Sequence, residues 1–95
     1  MGINEKEACA YASKYHCRVS CDEVDIVAAK VTFTVRSVRI DPHTHRLEPY
    51  KRTAVRVGKL WSVDAAMLDM RRGEAIQYCV NRIINSRISN GSTAA

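Results

Sequence analysis

The chain reads as an α+β domain: a helix, a three-stranded antiparallel sheet, and a long C-terminal helix packed on one sheet face. Three patterns carry that expectation. Apolar positions recur at helical spacing near the start, a central stretch rich in Val, Ile, Thr and Phe alternates with period two, and a second helical stripe closes the chain. Ninety-five residues with 46% apolar and 26% charged side chains, four Gly and two Pro support one continuous core. Residues 1–95 are therefore expected to form one domain, with a disordered tail from about residue 89, where small polar residues take over.

Asn4 and Glu7 have capping-box spacing, and Ala8, Tyr11, Ala12 and Tyr15 follow at i, i+3, i+4, i+7, which predicts a helix over about 5–15. Cys17–Cys21 alternates as a first strand, with Asp22-Glu23 as a polar turn. In the next segment Ala29, Val31, Phe33 and Val35 share one face and Lys30, Thr32, Thr34 and Arg36 the other. Placing Val38 and Ile40 inside as well requires a β-bulge near Arg36-Ser37. Asp41 to Pro49 reads as a protruding loop, and an extended pattern resumes from Tyr50 to about Trp61. There Val55, Val57 and Trp61 are expected inside, against Arg52, Ala54 and Arg56 outside. Ser62 or Asp64 suits a helix cap, and Ala65–Met70 favours a short helical turn before Gly73 interrupts. Ile76, Cys79, Val80, Ile83 and Ile88 then mark the long helix, over about 74–88.

Charge is the most informative functional feature. Residues 26–63 hold eight Lys and Arg against two acids, a net charge of +6, whereas residues 1–25 carry −2 and the remainder +1. Alternation places Lys30, Arg36, Arg52 and Arg56 with Thr32 and Thr34 on one face, where guanidinium groups and hydroxyls suit phosphate oxygens. Arg46 in the loop, Tyr50 beside Lys51 and Arg52, and Arg71 and Arg72 before the last helix complete the candidate surface. Such residues also serve simply to solvate an open sheet face. The element order, followed by Arg71-Arg72-Gly73-Glu74-Ala75, resembles a double-stranded RNA-binding domain in shape, which implies that this basic cluster faces phosphates. The Gly-Pro-His loop signature and the Lys-Lys-x-Ala-Lys motif of that family are absent.

Cys9, Cys17, Cys21 and Cys79 are read as reduced and mostly buried, since no secretory segment opens the chain, and a cytoplasmic protein is expected. Cys17, Cys21, His43 and His45 have the right types for zinc. On one strand, however, Cys17 and Cys21 stand roughly 13 Å apart, so no metal site and no cofactor is expected. His16 points away from Cys17 on a strand and no phosphate loop, acid pair or nucleophile elbow occurs, so no enzyme is expected. The expectation is a small non-enzymatic protein that binds double-stranded RNA or DNA through a basic hairpin face. The alternative is a protein-binding inhibitor or adaptor of viral or mobile-element type. Expected partners are nucleic acid or an acidic protein surface, with a homodimer admitted and no membrane.

Overall fold

The computed structural model describes residues 4–27, 30–58, 60–63, 66–68 and 71–91. Ala29, Lys59, Asp64, Ala65, Asp69 and Met70, all used in the sequence reading, lie outside these, as does the tail beyond Gly91. The chain is α+β, with helix α1 at Glu5–Lys14, strands β1 at Cys17–Asp25, β2 at Lys30–Ser37, β3 at Lys51–Val57, β4 at Leu60–Val63 and β5 at Ala66–Leu68, and helix α2 at Arg72–Gly91. The strands form one antiparallel sheet in chain order, and both helices pack on one face of it.

α1 begins where the spacing predicts: Asn4 Oδ1 accepts the Glu7 N–H at 2.8 Å, satisfying one of the free amides of the first turn. Its small residues Ala8 and Ala12 are buried, which lets α1 lie close to α2, and the Tyr11 hydroxyl donates to Asn81 Oδ1 at 2.6 Å. α2 is longer than its apolar stripe suggests. It starts at Arg72, takes Gly73 into its first turn, and runs to Gly91. Ile76, Cys79, Val80 and Ile83 are buried as expected, but Ile88 is exposed. The stripe continues inward instead through Ser86 and Arg87, four residues after Arg82 and Ile83.

The sheet has five strands among the described residues, where three were expected. Gly58 adopts φ +65°, a left-handed conformation that glycine takes without steric cost, and Val57 pairs with Leu60 across a two-residue turn. The expected single strand from Tyr50 to Trp61 is thereby folded into β3 and β4. Ala66–Leu68 pairs with β4 as a fifth strand instead of forming a helical turn, because an available strand edge outweighs a helix propensity of a few tenths of a kcal/mol per residue. Asp22-Glu23 is no turn. β1 runs through it with a register shift between Cys21 and Glu23, so the bulge belongs to β1 and not to Arg36-Ser37. β2 simply ends at Ser37, which leaves Val38 and Ile40 exposed.

The core is one cluster built from Phe33 and Val35 of β2, Ala54 of β3, Trp61 and Val63 of β4, and the buried faces of α1 and α2. Phe33 and Trp61 meet edge-on with ring centroids 5.0 Å apart, a favoured aromatic geometry. Register fixes which β3 residues join them. Phe33 pairs with Ala54, Val35 with Arg52 and Val31 with Arg56, so Arg52, Ala54 and Arg56 lie on the helix side. This reverses the expected β3 faces. The sequence reading carried Trp61's parity back through Gly58, where the turn breaks it.

A buried polar cluster closes the end of the sheet away from the β1–β2 turn. Arg87 Nε donates to Glu48 Oε1 at 2.7 Å, Nη1 to the Tyr15 carbonyl at 2.6 Å, and Nη2 to Ser37 Oγ at 2.9 Å. Ser37 Oγ in turn donates to Glu48 Oε1 at 2.7 Å, and the Val38 amide donates to the His16 carbonyl at 2.8 Å. Arg39 adds a looser contact to Glu48 at 3.7 Å. One guanidinium thus joins α2, the α1–β1 turn, β2 and the long β2–β3 loop. Replacing Arg87 with Met leaves the Glu48 carboxylate buried without its cation, and should cost about 3 kcal/mol or more. Urea unfolding of Arg87→Met measures this; a loss below about 1 kcal/mol would show that water replaces the guanidinium.

Candidate nucleic-acid interface

The helices cover one face of the sheet and leave the other open, and strand register defines what the open face displays. Arg18 pairs with Arg36, and Arg36 with Lys51, so three cations from three neighbouring strands form a single row across the sheet. With strands about 4.8 Å apart, the row spans roughly 10 Å. All three residues are exposed, and among the described residues no carboxylate pairs with any of them. The next row inward is hydroxylic: Ser20 pairs with Thr34 and Thr34 with Thr53, the Thr34 and Thr53 hydroxyls lying 3.4 Å apart. Ser20 Oγ donates to the Thr34 carbonyl at 3.4 Å. Beyond them, toward the β1–β2 turn, come Thr32 and Val55, then Lys30 and Val57.

The expected site residues divide between the two faces. Arg36 and Lys30 are on the open face, as alternation indicates. Arg52 lies on the helix side, its Nη2 donating to Ser86 Oγ at 3.0 Å and Nη1 to the Lys51 carbonyl at 2.7 Å. Arg56 is exposed but shares the helix-side register, and its Nε donates to the Gly58 carbonyl at 2.9 Å. Arg72 is engaged by Glu5 at 3.3 Å and sits 5.4 Å above the Phe33 ring, a cation–π contact on the core side. Arg71 is exposed just before α2, remote in sequence from the open-face row. Tyr50 packs against the core, and its carbonyl accepts the Ser37 amide, so its ring serves packing. Arg18 and Lys51 were not among the expected site residues. β1 was read only for its apolar residues, and correct β3 parity was needed to bring Lys51 alongside Arg36.

Arg46 belongs to a tightly organised loop. Asp41 Oδ1 accepts the His43 amide at 2.7 Å and the Thr44 amide at 3.4 Å, while the Asp41 amide donates to the Arg46 carbonyl at 2.8 Å. His45 takes φ +59°, and a bridge between Ile40 and Leu47 closes the base. A depression of about 630 Å³ lies between Asp41, Arg46, Pro49 and Tyr50. The backbone donors, chiefly that of His43, hold the Asp41 carboxyl below its ordinary pKa of 3.8. A depressed carboxyl supports the loop at all pH values above 3.8 and loses that support as pH falls through the lower folded value. The side-chain carboxyl carbon shift of Asp41 should accordingly be flat from pH 8 to about 5 and move only in stronger acid; a titration midpoint at or above the ordinary Asp value would refute the assignment.

The cysteines correct one expectation. Cys17 and Cys79 are buried, but Cys9 is exposed on α1. Burial pushes the Cys17 thiol up, and the Arg87 guanidinium beside it offsets only part of that rise. Among the described residues no three His, Cys, Asp or Glu side chains are grouped to hold a metal. In a Cys21→Ser background, a thiol reagent at pH 8 should label Cys9 at once, and Cys17 and Cys79 only on unfolding; fast labelling of Cys17 would contradict its packing.

Among the described residues no helix is long and apolar enough to cross a membrane. Architecture and surface together define a two-layer α+β domain with one helix-covered sheet face and one open face bearing a cation row. Compared with protein-family models, curated proteins and solved structures, the chain matches none of them.

Proposed function

We propose that the chain is a non-enzymatic binding protein that holds double-stranded RNA or DNA by its phosphate backbone, on the open face of the sheet. The observation that supports this is the Arg18–Arg36–Lys51 row. Like charges placed directly opposite each other destabilise a sheet, and here two such pairs occur side by side with no described acid to relieve them. A polyanion relieves that repulsion. Duplex nucleic acid presents about one charge per 1.7 Å of helix axis, denser than a single strand, so a row of three cations can meet several phosphates together.

The rings favour backbone contact over base reading. All six aromatic residues of the chain are accounted for: Phe33 and Trp61 are core, while Tyr11, Tyr15, Tyr50 and Tyr78 pack against it from the helix side or the sheet end. None stands on the open face, where single-strand binders place rings for bases to stack on. Binding through this face is therefore expected to be weakly sensitive to sequence and steeply sensitive to salt.

For three phosphate contacts, log K against log salt should have a slope of about −2.7 on duplex DNA. Fluorescence anisotropy on the wild type should show that slope, and the Arg18→Glu/Arg36→Glu/Lys51→Glu variant should lose roughly a hundredfold in affinity together with most of the slope. Arg71→Glu, away from the row, is the control. Equal losses in the control and the row variant, or no salt-dependent binding by the wild type, would defeat the reading.

A further inference from the structure

Two rows of different chemistry run side by side on the open face. The cation row is Arg18, Arg36 and Lys51, and two residues further along the same three strands stand Ser20, Thr34 and Thr53. Two residues of strand separate the rows by roughly 7 Å. Thr53 is exposed and Ser20 half-buried, with the buried Thr34 between them, its hydroxyl 3.4 Å from that of Thr53. A hydroxyl offers one proton and two lone pairs, so the Thr34 contact takes only part of what Thr53 can bond.

We propose that the hydroxyl row selects RNA over DNA, bonding ribose 2′-hydroxyls in the minor groove of an A-form duplex while the cation row holds the flanking phosphates, a proposal that rests on the phosphate-backbone reading of this face. The minor groove of A-form RNA is wide and shallow and displays its 2′-hydroxyls together with the phosphates that border it. Passing into that groove from its rim, phosphate comes first and hydroxyl second, the order in which the two rows are met from the Arg18 end of β1. A sheet surface whose row spans roughly 10 Å across three strands suits such a shallow groove. B-form DNA offers it less: the minor groove is only about 6 Å wide, and the deep major groove admits a helix or a two-stranded ribbon. DNA can still meet the cations along its phosphates. Its sugars, lacking the 2′-hydroxyl, give Ser20 and Thr53 no partner.

Fluorescence anisotropy of the full chain separates sugar from shape when duplexes of one sequence and length are compared in three forms: RNA, DNA, and RNA with 2′-fluoro in place of every 2′-hydroxyl, which keeps the A-form and removes the hydroxyl. The wild type should bind the RNA about tenfold more tightly than either of the others, the worth of one or two net hydrogen bonds. Thr53→Val, which keeps the side chain's shape at an exposed strand position, should reduce the ratio of RNA to DNA affinity about fivefold, and Ser20→Ala should lower it in the same direction. Equal binding of RNA and DNA overturns the selection and leaves phosphate binding standing. A 2′-fluoro duplex bound as tightly as the RNA, or a Thr53→Val variant with the wild-type ratio, overturns the hydroxyl contact. A wild type with no salt-dependent affinity for either natural duplex overturns the proposal together with the phosphate-backbone reading beneath it.

Discussion

Everything at one end of this domain depends on a single guanidinium. Arg87 reaches from the last third of α2 across the sheet end and bonds three other segments: the α1–β1 turn, the end of β2 and the β2–β3 loop. Its partners explain one another. The Tyr15 and His16 carbonyls are turned inward because His16 takes φ +58°, a conformation unusual for a side chain of its size. That conformation is held by the Arg87 bonds and by the Val38 amide on the His16 carbonyl. Glu48 is buried because Arg87 and Ser37 both bond its carboxylate. A buried ion pair adds little net stability against an apolar alternative, but it punishes misalignment severely. Its effect here is to set where α2 stops sliding along the sheet and where the β2–β3 loop leaves it.

With α2 in place, the helix-covered face is filled and the other face is left uncovered. Arg52 and Arg72 contribute their positive charge to the covered side, where Ser86, Glu5 and the Phe33 ring engage them. Those two cations therefore add to the net charge without adding to the open surface. The cations that define the open face are fewer than composition suggests, but they are aligned: Arg18, Arg36 and Lys51 occupy one row because antiparallel register places directly opposed residues on the same side. A net charge of +5 describes solubility and attraction at a distance. Alignment at strand spacing is what gives a particular polyanion something to fit.

The helices were legible because their signals are local. Asn4 and Glu7 cap, Ala8 and Ala12 repeat, and the Ile76–Ile83 stripe is unambiguous within a dozen residues. The sheet was legible in kind but not in count. The turn at Gly58 was visible as a glycine between Val57 and Leu60, the usual mark of a two-residue hairpin, yet the continuous β-favouring composition on both sides hid it. One missed turn inverted the parity of β3 and moved Arg52 and Arg56 to the wrong face. Alternation carries one bit per strand, and a single inserted turn or bulge flips it. The Arg87 cluster was beyond local reading, since Glu48 lies 39 residues away and Tyr15 lies 72 away. The available hint was weaker: an arginine at the position where the apolar stripe of α2 should have continued.

The two ends of the sheet now differ in physical character for reasons that trace to the same strands. Arg18, near the start of β1, stands beside two cations, whereas Ile26 and Val27, just past its end, are exposed aliphatics, so a single nine-residue strand runs from a charged end to an apolar one. The bulge after Cys21 lies between the two regimes. It adds a residue to β1 without adding one to β2, which keeps Val24 opposite Val31 and brings Asp25 opposite Lys30. Without the extra residue, every β1 position beyond Cys21 would change faces. Sheet edges are places where proteins either block association or invite it, and a bulge in a long edge strand discourages edge-on pairing along its length. Pairing along the β1 edge is thereby disfavoured, and the open face is the uncovered surface of the sheet.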